Sequence, residues 1–300
     1  MEPGGALMAV AEVSQPALRE KAPETLAVRL AKAPIHLFLL FIGILWLIPA
    51  AGLFVTSLLP AAIANASGWW HVFSKPSELT FENYRMIYHN SAITHALVVT
   101  AEVTIGATIL PILIASLAAY ALAWIEFPGR DWAFVTVVGL MVVPIQMALI
   151  PIFKLYNTLN LYDTVFGLIL FHTAFALPFA IFLLRNFFAG IPRDLMEAAR
   201  IDGASEWRLF FKVVLPLGLP AIAALAIFQV LFVWNDFIVG FTLAQDNTPI
   251  APALAGQLRQ FGSNLDVIAP ASFFSAVIPL TIFALFQRYF VQGLLAGSVK

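Results

Sequence analysis

The residues best placed to do chemistry form one run, Gly190–Pro220, which reads G-I-P-R-D-L-M-E-A-A-R-I-D-G-A-S-E-W-R-L-F-F-K-V-V-L-P-L-G-L-P. Pro192 suits the first position of a helix, where its missing N–H is not needed. Asp194 and Glu197 follow in the first turns, where negative charge complements the helix dipole. Leu195, Ala198, Ala199 and Asp202 then fall three and four apart, on one face. Gly203 supplies a left-handed stop. Ser205 can cap a second helix, along which Trp207, Phe210, Phe211 and Val214 form an apolar face. Small alanines permit close approach by another surface, and Glu197 and Asp202 offer charge to a basic partner. This is the chemistry of docking, not of bond making. The same pattern also suits an amphipathic segment lying among lipid headgroups with no partner.

The other polar groups are sparse. There is no cysteine, which excludes disulfides, thiolate metal sites and cysteine nucleophiles. His36, His71, His89, His95 and His172 fall in no metal-ligand spacing, so no metal site is expected. None of the 17 glycines is followed by lysine, so a phosphate-cradling G-x-x-x-x-G-K-[ST] loop is impossible. No paired carboxylates or Ser-His arrangement converge, so no catalytic residue is assigned and an enzyme ranks last among the readings. Within apolar stretches stand Asn235, Asp236, His172 and Glu102. A charge at the centre of a spanning helix costs roughly 2.5–3.5 kcal/mol. Such groups therefore face protein or water, either as a gate or pathway group or in a helix–helix hydrogen bond.

The elements that carry these residues are membrane helices. The 300 residues are 61% hydrophobic, with 27 Phe and only 11% charged, against about 25% in a soluble domain. Too few polar side chains remain to cover a water-facing surface. Six windows lack charge and approach the roughly 20 apolar residues of a spanning helix: 35–59, 103–125, 132–153, 164–184, 217–235 and 270–287. The second extends back to about 93, taking Glu102 into its outer turns, and the fifth runs on through Asp236 to 243. The spans therefore cover about 35–59, 93–125, 132–153, 164–184, 217–243 and 270–287. None alternates with the period of a barrel strand, and lipid leaves backbone amides no outside partner, so the spans are helical. The expected fold class is an all-α integral membrane protein with six transmembrane helices. Residues 1–34 read as a mobile polar tail and 35–300 as the membrane domain. The long segments between spans are 60–89, 186–215 and 244–269.

Lys and Arg set the orientation. One side holds Arg19, Lys21, Arg29 and Lys32 in the tail, Arg130, the five cations Arg185, Arg193, Arg200, Arg208 and Lys212, and finally Arg288 and Lys300. The other side holds Lys75, Arg85, Lys154 and Arg259. The positive-inside bias puts both termini and the 186–215 loop in the cytoplasm. The net charge of −1 gives no signal for nucleic acid.

The spacing E-A-A-x-x-D-G-A, here Glu197-Ala198-Ala199, Asp202-Gly203-Ala204, followed by Pro216, resembles the EAA loop of binding-protein-dependent ABC importer permeases. Leu79-Thr80-Phe81-Glu82-Asn83-Tyr84 and Trp234-Asn235-Asp236-Phe237 resemble segments of carbohydrate-importer permeases. Gln287–Lys300 resembles the tail of the MalG-type subunit of maltose-type importers. Asp236 stands where Glu is common, and the N-terminal tail is longer than expected. The resemblance implies a type I ABC importer permease fold in a bacterial or archaeal cytoplasmic membrane. It implies that Glu197 and its neighbours couple to a separate ATPase dimer, which binds ATP and Mg, this chain holding no cofactor. It also implies a second MalF-type permease subunit, surrounding membrane lipid and an extracytoplasmic sugar-binding protein. In MalG-type subunits the loop between the fifth and sixth spans reaches into the binding protein, which makes Gly256 and Gln257 candidates for its tip. An ion-gradient-driven secondary transporter and an ABC permease for a non-sugar solute are the alternatives.

Overall fold

The computed structural model describes residues 26–257 and 264–296, with side chains over 34–257 and 264–287. Every long element is a helix, and no strand occurs among the described residues. In chain order they are α1 Leu26–Ser57, α2 Ala61–Ala64, α3 Glu82–His89, α4 Ser91–Trp124, α5 Arg130–Leu140, α6 Ile145–Leu159, α7 Val165–Ala189, α8 Arg193–Ile201 and α9 Glu206–Leu209. A π-helical turn, Phe210–Val214, leads into α10 Leu215–Trp234. There follow α11 Ile238–Leu243, α12 Ile250–Gly256 and α13 Leu265–Ala296. Among the described residues α1, α4, α7, the α9–α10 run and α13 are long and apolar enough to cross a membrane; the bent pair α5–α6, counted as one broken span, brings the number to six.

The chain divides into two compact units, residues 1–49 and 50–300. In the first, the expected polar tail is already helical from Leu26. Leu, Ala, Arg and Lys dominate 26–33, and these are strong helix formers. Residues 1–25 lie outside the described ones. Further along α1, Leu37, Phe38, Leu40, Phe41 and Trp46 put apolar groups on every face, the pattern of a helix surrounded by an apolar medium.

In the second unit α4 and α7 lie against each other along most of their lengths, and α10 packs on both and on α13. Small residues allow this closeness. Ala107, Ala115 and Ala119 on α4 are wholly buried, and a Cβ at Gly106 would come 2.5 Å from Ile169 Cδ1 on α7. Lipid is as apolar as these side chains, so close van der Waals packing, not exclusion from water, holds such helices together. One buried cluster, with Tyr120, Leu184, Phe188, Met196, Leu209 and Val214, sits at the end of the bundle that carries α8. Another, with Val103, Leu149, Phe171 and Val239, lies toward the opposite end.

Several boundaries differ from the sequence expectation. The third span, expected as one helix over 132–153, is two helices meeting at 95°. Pro144 caps the second of them; it has no N–H to continue the ladder and disfavours helical geometry at Val143. The fourth runs on to Ala189, so the 186–215 loop starts inside a helix. The fifth, expected without interruption over 217–243, breaks between Trp234 and Ile238. The 244–269 segment carries α12, and α13 begins within it at Leu265. Glu102 lies three turns into α4 and is exposed. Its distance of about 33 Å from the far end of that helix matches the outer edge of a hydrocarbon layer about 30 Å thick.

The Leu79–Tyr84 segment has a structural task. Asn83 is buried and donates from Nδ2 to the carbonyls of Ser57 (3.0 Å) and Leu59 (2.7 Å). The backbone N–H of Thr80 donates to Leu58 O at 2.7 Å. Tyr84 Oη shares a hydrogen bond of 2.6 Å with Ser57 Oγ. Carbonyls at the end of α1, which no helical N–H can reach, are thereby satisfied.

Candidate functional site

Helix α8 is anchored on one side and offered on the other. Met196 is 0% exposed and sits in the α8-end cluster, while Glu197, Ala198 and Asp202 face outward and Ala199 and Ala204 are half-buried. Pro192 precedes the first helical residue, Arg193, and does not itself start the helix. Gly203 adopts φ +78° with open space around its missing Cβ, so only the backbone conformation demands glycine there. Ser205 Oγ then accepts from the N–H of Arg208 at 3.4 Å and starts α9.

The aromatic face expected beyond it divides in two. Leu209, Phe210 and Val214 are buried, whereas Trp207 and Phe211 are exposed and stack with ring centres 6.0 Å apart. Pro216 and Pro220 cannot donate to the carbonyls a turn before them, and the helix widens into the π turn at this point. Residues 207 and 211 thus form one row, 210 and 214 another.

A link invisible in the sequence joins α8 to the spans. Arg200 Nη2 lies 3.2 Å from Glu206 Oε1, and Glu206 Oε2 accepts from Tyr120 Oη at 2.5 Å. The 86-residue separation of Tyr120 and Glu206 hides this contact from sequence reading.

At the opposite end, Asp236 Oδ2 accepts from the N–H groups of Val239 (3.0 Å) and Gly240 (3.2 Å) at the start of α11. His172 Nε2 stands 3.9 Å from the same oxygen, and its side chain is buried. Asn235 is exposed and donates to Leu231 O, while Trp234 Nε1 donates to Ser275 O on α13 at 3.0 Å. The structure therefore brings His172 and Asp236 together and leaves Asn235 apart from them. Gly256, the last residue of α12, and Gln257 are separate again, beside 258–263, which lie outside the described residues. Ile250 and Pro252 of the same helix are buried, and the Ile250 N–H donates to Thr100 Oγ1 at 2.7 Å.

Asp163 received no role from the sequence. Its Oδ1 accepts from the N–H groups of Gln245 (2.8 Å) and Asn247 (2.9 Å), and its Oδ2 from Asp246 (3.2 Å). Partial burial works against its charge, but those donors prevail and hold the carboxyl below the ordinary carboxylate range. The clasp ties the turn before α7 to the segment after α11. Four mid-span polar atoms have no hydrogen-bond partner among the described residues: Thr104 Oγ1 and Thr108 Oγ1 on α4, Thr173 Oγ1 on α7 and Gln229 Nε2 on α10. The spacing of Thr100, Thr104 and Thr108 by four was the readable signal, since it draws one polar stripe along an apolar helix.

Five to six membrane-length spans, with an exposed helix between the fourth and fifth, mark a multi-pass membrane protein. The chain belongs to the family described as binding-protein-dependent transport system inner membrane components, whose model matches residues 111–296. It is 42% identical to the osmoprotective compounds uptake permease protein GgtD of Synechocystis sp., covering 90% of this chain and 92% of that one. It is 34% identical to the arabinooligosaccharides transport system permease protein AraQ of Halalkalibacterium halodurans, covering 87% and 93%. The fold matches, with TM-score 0.73 and 22% identity over 90% of this chain and 99% of the other, the crystal structure of a bacterial ABC transporter involved in the import of the acidic polysaccharide alginate.

Proposed function

We propose that this chain is one transmembrane half of an ATP-driven importer that moves a mono- or oligosaccharide across the cytoplasmic membrane by alternating access. The observation that carries the proposal is α8, a short helix anchored by Met196 and offered outward by Glu197, Ala198 and Asp202 directly after a span. In this reading α8 faces the cytoplasm and seats in a separate ATPase, which holds ATP and Mg. The Lys and Arg distribution supports that side. The arabinooligosaccharide relative supports sugar as the cargo class.

Closure of the ATPase pair draws together the α8 helices of this chain and of a second permease subunit. The push enters the membrane through Met196 and along Arg200–Glu206–Tyr120 to α4, and through the unbroken α9–α10 run to the far pole. ATP and the external binding protein drive the change only because both bind the outward-open state better. Thr104, Thr108, Thr173 and Gln229, with His172 and Asp236, are the pathway candidates of this half. Neutral hydroxyl and amide groups match sugar hydroxyls without demanding a charged cargo.

A pull-down of the tagged chain from solubilised membranes tests the reading. The unaltered chain recovers an ATPase bearing a G-x-x-x-x-G-K-[ST] loop and a second permease. Glu197→Arg with Gly203→Pro loses the ATPase and keeps the permease. Recovery of the chain alone in both samples, with uptake that survives ATP depletion and collapses with an uncoupler, overturns it in favour of an ion-gradient transporter. Deleting 255–257 leaves the buried Ile250 and Pro252 in place; assembly persists and sugar uptake falls. Unchanged uptake removes the binding-protein role of Gly256 and Gln257.

A further inference from the structure

The ends of α4, α5 and α7 and the start of α8 enclose a cleft of about 360 Å³. Its walls carry Glu126, Glu197 and four arginines, Arg130, Arg185, Arg193 and Arg200. Arg130 leans on the exposed Asp131 at 3.5 Å, and Arg200 on Glu206 at 3.2 Å. Among the described residues no carboxylate pairs with Arg185 or Arg193, and neither Glu126 nor Glu197 forms an ion pair. Arg185 is nonetheless held in place. Its guanidinium carbon lies 4.5 Å from the centre of the Phe134 ring, and its Nη1 donates to Asn186 Oδ1 at 3.3 Å. Its Nε is buried with no acceptor among the described residues. A buried N–H left unpaired is destabilising, and with two guanidinium groups in its wall unmatched by any carboxylate among the described residues, the cleft favours an anion.

The position of the cleft says which acceptor. It lies where the membrane-length α4 ends at Trp124, the bent α5–α6 pair begins at Arg130, and the membrane-length α7 ends at Ala189, which is headgroup depth. Trp132 beside it is exposed, as suits an indole at a membrane interface. The abundant anion at that depth is phosphate. We infer that the cleft binds the phosphate of an anionic phospholipid, with Arg185 and Arg193 as its main ligands. A guanidinium fork matches two phosphate oxygens at once, and an anionic leaflet attracts arginines at its surface. Bound there, the lipid braces α5 and α7 against α8, the helix proposed to dock. Assigning that leaflet to the cytoplasm rests on the proposed topology, whereas the site itself does not.

Native mass spectrometry on the solubilised assembly, offered phosphatidylglycerol, phosphatidylcholine or inorganic phosphate, tests the inference. The wild-type chain retains phosphatidylglycerol and not phosphatidylcholine. Retention falls roughly tenfold or more in Arg185→Gln with Arg193→Gln, since each arginine near an anionic surface contributes on the order of 1 kcal/mol. Arg193→Gln alone changes an exposed side chain, so the fold is safe, and it lowers retention partway. Arg185→Lys keeps the charge, loses the fork and also retains less. Lys154→Gln, at the opposite end, changes nothing. Equal retention in the double variant overturns the inference. So does displacement of the lipid by millimolar inorganic phosphate, which would make soluble phosphate the ligand. Loss of the lipid whenever the ATPase is bound also overturns it and gives the cleft to that protein. The readout is bound lipid, so a failed ATPase pull-down would sink the transport reading and leave this result standing.

Discussion

Replacing Asp163 with alanine should loosen the pole opposite α8 by about 2–4 kcal/mol, seen as a lower unfolding temperature in detergent and faster proteolysis after α11. Three backbone N–H groups, of Gln245, Asp246 and Asn247, donate to its carboxylate, and alanine leaves all three without that acceptor. Each such bond is stronger than a neutral one, but the carboxylate is only partly buried, so the sum is discounted. Alanine also fits poorly at φ 55°, a left-handed conformation that Asp and Asn tolerate. Asp163→Asn separates the two causes: it keeps the backbone conformation, loses the charge and should cost about half as much. The pH dependence gives a second check. The folded-state carboxyl titrates below its ordinary value. Its stabilisation is therefore complete above about pH 4 and disappears as pH falls through the depressed value. Wild type and Asp163→Asn should differ at neutral pH and converge in acid. A constant gap across that range would show that the charge is not what the clasp uses.

The clasp also marks where sequence reading stops. Low charge density and long apolar windows made the membrane class legible, because covering a chain of this composition with water is physically unworkable. The α8 segment was legible because its signals are local: a proline before it, an acid in its first turn and a glycine just past its end. Asp163 is tied to residues 245–247 by tertiary contact, and nothing in Leu161-Tyr162-Asp163-Thr164 points there. Tyr120 and Glu206 are hidden for the same reason. The break at 141–144 failed differently. Met141, Val142 and Val143 keep the window apolar, and proline is a poor guide inside membranes: α4 and α7 carry Pro111 and Pro178 within continuous helices. The Leu79–Tyr84 motif was readable as a motif, yet Asn83 satisfies helix-end carbonyls, which only the structure shows. Asp236 likewise stands out in an apolar stretch, but the N–H groups of α11 already occupy one of its oxygens. A polar residue in lipid must find a partner, and the sequence cannot say whether that partner is cargo or backbone.

Phe188→Ala should be the most damaging single change in the core, lowering stability by about 2–4 kcal/mol. The ring is 0% exposed and belongs to the cluster that includes Met196 of α8, Leu209 and Val214. Truncation in a soluble core would cost about 3–5 kcal/mol. Part of that is transfer from water, a term that shrinks when lipid is the surrounding medium, so what remains is mostly lost packing. The ring meets α10 at Gly218, where a Cβ would come 2.5 Å from Phe188 Cε1. Gly218→Ala alone should therefore overpack and cost about 1–3 kcal/mol. Combined with Phe188→Leu, the new methyl enters space the ring has left, and the pair should cost less than the sum of its parts by about 1 kcal/mol. Additive costs would mean that α7 and α10 separate to admit the methyl and that the contact is soft. The same cycle reports on mechanism, because Phe188 stands between the α9–α10 run and the anchor of α8. If α8 transmits motion through this packing, Phe188→Ala should lower ATP hydrolysis stimulated by the binding protein more than basal hydrolysis, measured on protein that remains assembled. Equal losses would confine Phe188 to stability.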